Sequence, residues 1–293
     1  MPVLGFLGLG AMGGPMARNL VRAGYTVVGF DLREERLSAC ADAGVVPAGG
    51  EDDVVRRADV VLTSLPSSES WVEAAERHLV PNAREGQVFI DLGTTTPPET
   101  RRLAAEFARK GAALLDVPVS GGPGGVEAKR LRMFVGGDPR VFAECRQILE
   151  AIGGPEHITY CGPSGSGQVV KGVNQLAMGL GAAAYLEAVA FGVMAGVDAE
   201  TIRVAVGATG GVDRWREYVD FVADRAAAGS AESIGVKFRE LPYFLREAGE
   251  KGFVLPLTQM LFSFCDAGER VVIDDNRRAP SFWHELMKAA RKG

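Results

Sequence analysis

Gly5-Phe6-Leu7-Gly8-Leu9-Gly10-Ala11-Met12-Gly13 is the stretch that decides the fold. The apolar run from Val3 to Leu7 predicts a strand, and Gly8, Gly10 and Gly13 stand in the spacing G-x-G-x-x-G where a helix follows. The three glycines permit, in turn, the tight turn, the approach of backbone to a pyrophosphate, and close packing of helix on sheet. The helix start, with Ala11 and Met12 in its turn, then offers unpaired N–H groups and the positive end of its dipole to phosphate. A glycine turn without a ligand has the same pattern, so the motif needs its surroundings.

Asp31 closes the next strand candidate, Thr26 to Phe30, and stands 18 residues after Gly13. A carboxylate there accepts hydrogen bonds from the adenosine ribose diol and repels a 2′-phosphate, which favours NAD over NADP. Arg33, two residues on, can instead grip that phosphate or be a solvated surface arginine.

Further strand candidates, Val60 to Leu62, Val88 to Asp91, Ala113 to Leu115, Met133 to Val135 and Ile158 to Tyr160, alternate with amphipathic segments. That alternation is the pattern of βαβ units and a parallel sheet. After Cys161-Gly162-Pro163-Ser164-Gly165-Ser166-Gly167 the strand signal fades and the remainder reads as helical. The expected fold class is therefore α/β: a Rossmann-like, doubly wound, mostly parallel sheet in residues 1–163, followed by an all-helical domain, 164–293. Gly179 and Gly181 beside Ala182, Ala183 and Ala184 weaken a helix by about 1 kcal/mol per glycine. Close approach of another helix is the expected compensation, at a subunit contact of a homodimer or homotetramer.

Ligands of open α/β sheets bind outside the carboxyl ends of the strands. Leu65-Pro66 and Gly93-Thr94-Thr95 lie at such ends and are expected to line the nicotinamide side, with Asp91 bracing the second loop. Ser120-Gly121-Gly122, after another strand, leaves backbone N–H groups unshielded beside a hydroxyl. That suits a substrate carboxylate, although a glycine turn between strands reads the same way. Lys171, in Gly167-Gln168-Val169-Val170-Lys171-Gly172-Val173-Asn174-Gln175, opens the first helix of the second half. Asn174 and Gln175 share its helical face at i+3 and i+4. A proton donor and two amides on one face make a candidate catalytic set, against the alternative of a solvated lysine. Burial near a positive nicotinamide would lower the pKa of such a lysine toward working pH.

A net charge of -5, from 37 acidic and 32 basic residues mixed along the chain, provides no nucleic-acid or membrane footprint. No apolar run reaches the roughly 18 residues of a membrane span. Cys40, Cys145, Cys161 and Cys265 are far apart and only three histidines exist, so neither a metal site nor a disulfide framework is expected. With no basic leader before the first strand, a cytoplasmic protein with a small carboxylate substrate is the expectation.

Taken in order, the glycine motif, Asp116-Val117-Pro118-Val119-Ser120-Gly121-Gly122, Met133-Phe134-Val135-Gly136-Gly137 and Gly167-Gln168-Val169-Val170-Lys171 resemble the β-hydroxyacid dehydrogenase family. That family includes 3-hydroxyisobutyrate dehydrogenase and tartronate semialdehyde reductase. The resemblance covers essentially the whole chain and implies an NAD(P)-dependent enzyme of short 3-hydroxy acids or their semialdehydes, with its active site between the two domains. It gives Lys171 the catalytic role and Ser120 to Gly122 the substrate-carboxylate role. Asn174-Gln175 is weakly similar to the reductase branch. Three positions depart from the family's pattern. Arg239 stands in the slot of a second lysine near the nicotinamide, with Lys237 as the alternative if the register differs. Lys129, Arg130 and Arg132 replace glycine and small polar residues, and read either as a hint of a more anionic substrate or as a solvated edge. Gly93 replaces a serine. Two rivals stay open: an NADPH-dependent imine reductase-like enzyme, against which Lys171 and Asp31 argue, and a non-catalytic dinucleotide-binding scaffold.

Overall fold

The structure, a computed structural model, describes residues 1–207, 220–225, 227–229 and 241–265. The chain forms two compact units, Met1–Lys171 and Gly172–Gly293.

In the first unit, β1 (Leu4–Leu7), β2 (Val27–Phe30), β3 (Val46–Pro47), β4 (Val60–Thr63), β5 (Val88–Asp91) and β6 (Ala113–Asp116) lie in the order β3-β2-β1-β4-β5-β6, all parallel. This is the order of a Rossmann sheet, whose direction of winding reverses between β1 and β4. Beyond β6 the sheet changes direction. β7 (Val119–Ser120) and β8 (Arg132–Gly136) pair antiparallel, β8 also runs antiparallel to β6, and β9 (Ile158–Gly162) joins β8 in parallel. β3 and β7 are absent from the strand candidates above for one reason: each is two residues long, too short to show a period, and β3 contains a proline.

Side chains alternate across the strands with period two, so both faces of the sheet are buried. Leu4, Phe6, Val60, Leu62, Val88 and Ile90 enter one core cluster; Leu7, Val61 and Phe89 enter the other. Helices α1 (Gly13–Arg22), α2 (Glu34–Ala41), α3 (Glu51–Arg57), α4 (Ser68–Ala74), α5 (Val80–Asn82), α6 (Pro97–Arg109), α7 (Gly122–Glu127) and α8 (Pro139–Gly153) cover these faces. Met16 and Leu20 of α1 and Ile148, Leu149 and Ile152 of α8 fill the first cluster; Val54 of α3, Trp71 of α4 and Phe107 of α6 fill the second. Caps set the helix starts: Ser67 for α4, Thr96 for α6 with two prolines behind it, and Asp138 for α8. Asn19, buried in α1, donates to the carbonyls of Val126 and Ile152 at 3.1 and 2.9 Å and so ties α1 to the ends of α7 and α8.

The described residues of the second unit are helical. α9 (Ser166–Met194) starts in the first unit and continues into the second, followed by α10 (Ala199–Gly207), α11 (Leu241–Glu250) and α12 (Pro256–Cys265). Two further glycines of α9 stand close against neighbouring helices. A Cβ on Gly172 would stand 2.7 Å from the Phe244 ring of α11 and one on Gly192 2.7 Å from Ile202 of α10, whereas a Cβ on Gly181 would meet open space among the described residues. No helix among the described residues is long and apolar enough to cross a membrane.

Candidate functional site

The glycine loop joins β1 to α1 in the geometry the motif demands. Gly8 takes φ +85° and donates to the Phe30 carbonyl at 3.0 Å. A Cβ on Gly8 would collide with the carbonyl oxygen of Ser64, and one on Gly13 would overlap that of Gly8 itself. α1 has neither a side-chain cap nor an acidic residue in its first turn. The N–H groups of Gly10, Ala11 and Met12 meet no acceptor among the described residues. A helix start with its donors and dipole left uncancelled fits a dinucleotide pyrophosphate.

Asp31, half-buried at the end of β2, holds this loop in place. Its Oδ2 accepts the Leu9 N–H at 2.7 Å and its Oδ1 the Arg33 N–H at 2.9 Å, with Arg36 Nη1 3.9 Å from Oδ2. A carboxylate has about four acceptor positions, so capacity remains for a ribose diol. The Arg33 side chain is exposed.

Along the same sheet edge, the Leu65 side chain lies 3.0 Å from where a Cβ on Gly8 would stand, and Pro66 leads into the Ser67 cap. Asp91 closes β5 fully buried and braces the next loop. Its Oδ1 accepts the Gly93 N–H at 2.9 Å and the Thr63 hydroxyl at 3.1 Å, and its Oδ2 accepts the Thr95 hydroxyl at 2.8 Å. Burial pushes the Asp91 carboxyl up to about 6 against the pull of those hydrogen bonds. Thr94 stands half-buried between the two braced residues. A Cβ on Gly93 would come within 3.1 Å of Asp91 Oδ1, so glycine fits the tight brace.

The start of α9 is attached to that loop through Gln168, which is wholly buried. Gln168 Oε1 accepts the Thr95 N–H at 3.1 Å, and its Nε2 donates to the Gly93 carbonyl at 3.0 Å. Asp116, closing β6, accepts the N–H of Gly165 on Oδ1 at 2.8 Å and that of Gln168 on Oδ2 at 3.1 Å, and so caps α9 from another strand. Burial, with a smaller contribution from Asp91, pushes its carboxyl up to about 7, and the two amides pull it down. Gly167 permits the contact, because a Cβ there would strike the carbonyl oxygen of Phe134.

One turn after Gln168, Lys171 is only 5% exposed. Its Nζ donates to the Val119 carbonyl at 2.8 Å. The amine therefore sits beside β7, whose next residue is Ser120, followed by Gly121 at φ +140° and Gly122 at φ +64°. Asn174, half-buried, and Gln175, buried, project from the following turn of α9, and Asn174 Nδ2 lies 3.6 Å from Met178 Sδ. Arg239 and Lys237 lie outside the described residues. Lys129, Arg130 and Arg132 are all exposed. Among the described residues, no group of three histidine, cysteine, aspartate or glutamate side chains is placed to hold a metal.

The bracing residues Gln168, Thr95 and Asp116 were not legible as such in the sequence. The available signals were a glutamine in an otherwise Gly/Val-lined helix start and two carboxylates, Asp91 and Asp116, each ending an apolar strand. The two are register partners on adjacent strands.

Comparison with known proteins identifies the family of the chain. Residues 3–162 match the family described as the NAD binding domain of 6-phosphogluconate dehydrogenase, and residues 165–278 match the NAD-binding domain of NADP-dependent 3-hydroxyisobutyrate dehydrogenase. The 2-(hydroxymethyl)glutarate dehydrogenase of Eubacterium barkeri is 32% identical over 99% of this chain and 97% of its own length. The mitochondrial 3-hydroxyisobutyrate dehydrogenase of Rattus norvegicus is 34% identical over 67% of this chain, a match that spans 58% of the rat protein. Among solved structures, the 3-hydroxyisobutyrate dehydrogenase of Mycobacterium tuberculosis with L-serine superposes with a TM-score of 0.80, at 28% identity and 99% coverage of both chains.

Proposed function

Because the chain belongs to the β-hydroxyacid dehydrogenase family and is an NAD(P)-dependent oxidoreductase of hydroxy acids, we propose that Lys171 is its proton-transfer residue, acting on a short 3-hydroxy acid or its semialdehyde. The observation that carries this reading is the buried Lys171 amine, 2.8 Å from the carbonyl of Val119, the residue that precedes Ser120-Gly121-Gly122. The bound nicotinamide supplies the hydride acceptor or donor. The Ser120 hydroxyl and the Gly121 and Gly122 amides hold the substrate carboxylate. Lys171, neutral, takes the hydroxyl proton in oxidation; as ammonium it returns that proton in reduction. Asn174 and Gln175 orient the substrate oxygen or the amine. General acid–base help of this kind is worth about 10² to 10⁴ in rate.

NAD is the proposed cofactor in preference to NADP, supported by the Asp31 carboxylate at the end of β2. Arg33 and Arg36 beside it support the NADP reading. Gly8, Gly10, Ala11, Met12 and Gly13 hold the pyrophosphate; Leu65, Pro66 and Thr94 line the nicotinamide side. Arg239, or Lys237, fills the second cationic position. A cytoplasmic location and a homo-oligomer are part of the proposal, the assembly being supported by exposed apolar residues of the second unit, Val173, Val204, Leu257 and Met260. Sedimentation above the 31.0 kDa of one chain tests the assembly.

Turnover of a panel of 3-hydroxy acids with NAD and with NADP tests the function. Oxidation of at least one, faster with NAD, is the expected result. Turnover of none of these 3-hydroxy acids with either cofactor would contradict the proposed substrate class.

A further inference from the structure

We propose that Arg132 forms a second anion-binding position in this site and selects 3-hydroxy acids that carry another negative group besides the carboxylate held at Ser120. This rests on the reading of Ser120, Gly121 and Gly122 as the carboxylate position.

The antiparallel pairing of β7 with β8 sets Val119 opposite Met133 and Ser120 opposite Arg132. Directly opposed residues of an antiparallel pair share one face, with Cβ atoms about 4.5–5.5 Å apart. Met133 is fully buried and Val119 packs on the same core cluster, so that pair defines the inner face. Ser120 and Arg132 take the other face, on the strand whose Val119 carbonyl receives the Lys171 amine.

Other arginines of the first unit are occupied: Arg102 bonds Glu76, Glu99 and Glu106, and Arg140 bonds Asp138. The Arg132 side chain has no ion pair or hydrogen bond among the described residues, and neither do the side chains of Lys129 and Arg130. Glu127, the acid of this segment, forms no ion pair with them among the described residues. The segment is also held against the glycines. The Arg130 N–H donates to the Gly125 carbonyl at 2.9 Å, and a Cβ on Gly121 would stand 3.2 Å from the Leu131 side chain. Lys129 adopts φ +51°, a left-handed conformation unusual for a side-chain-bearing residue. An exposed guanidinium without a partner among the described residues, in register with the hydroxyl proposed to hold one carboxylate, matches the planar fork a second carboxylate requires.

The probes are 3-hydroxyisobutyrate and 2-(hydroxymethyl)glutarate, the same 3-hydroxy acid with a methyl in one and a carboxyethyl arm in the other. With the NAD-loaded protein, the dianion's Kd by calorimetry and the ratio of kcat/KM, dianion over monoanion, are measured for the native chain, Arg132→Gln and Arg132→Lys. A charge-assisted hydrogen bond of ordinary strength predicts a fall of about 10-fold or more in both quantities for Arg132→Gln, expressed in KM, with partial recovery in Arg132→Lys. An unchanged dianion Kd, or equal losses on both probes, overturns the proposal. Ser120→Ala separates the two readings: if it weakens neither probe, the carboxylate assignment fails, whatever Arg132 does to dianion binding.

Discussion

Gln168 accepts the backbone N–H of Thr95 at 3.1 Å, which joins the loop proposed to line the nicotinamide side to the helix that carries Lys171 one turn further on. The same side chain also holds the Gly93 carbonyl, so its replacement strands one buried and one part-buried backbone group. Each such group costs about 1–3 kcal/mol. Gln168→Leu is expected to lower stability by about 2 kcal/mol or more in urea unfolding and to lower kcat at least tenfold, with a smaller change in NAD affinity. A variant with native kcat would show that the bridge does not position the amine.

The buried carboxyls give a pH dependence of definite sign. Asp116 at about 7 and Asp91 at about 6 both stand above their ordinary 3.8, so between those values the folded chain keeps protons that the unfolded chain releases. The stability they contribute is complete below pH about 4 and is lost as pH rises through about 6 to 7. Asp116→Asn should therefore show a shallower decline of the urea midpoint between pH 5 and 8 than the native chain. Identical slopes would place the titration elsewhere.

Asp31 braces Leu9 and is the residue proposed to hold the adenosine ribose. Asp31→Ser should lower the melting temperature, because the Leu9 and Arg33 amides lose their acceptor, and should reduce the NAD over NADP ratio of kcat/KM at least tenfold. A native chain that prefers NADP would contradict the cofactor assignment at once.

What the sequence shows and what it conceals follow from distance along the chain. The glycine loop, Asp31 and the buried runs of β1, β4 and β5 are local patterns, and the strands stand where the runs predict. Asp116 caps α9 through amides 49 and 52 residues away, and Gln168 reaches Thr95 across 73 residues; no local period encodes such pairings. β7 is two residues long, yet its register brings Arg132 opposite Ser120. Gly179 and Gly181 were legible as sites of close approach, whereas the packing of Gly172 on Phe244 and of Gly192 on Ile202 depends on tertiary pairings that no local pattern carries.

The central claim is that the amine on Lys171 moves the substrate proton. Single-turnover and steady-state rates of Lys171→Ala, measured beside its NAD affinity, test it most directly. The account predicts a loss of at least two decades in turnover, in line with the worth of general acid–base catalysis, with NAD binding retained. Turnover equal to that of the native chain would remove Lys171 from the mechanism.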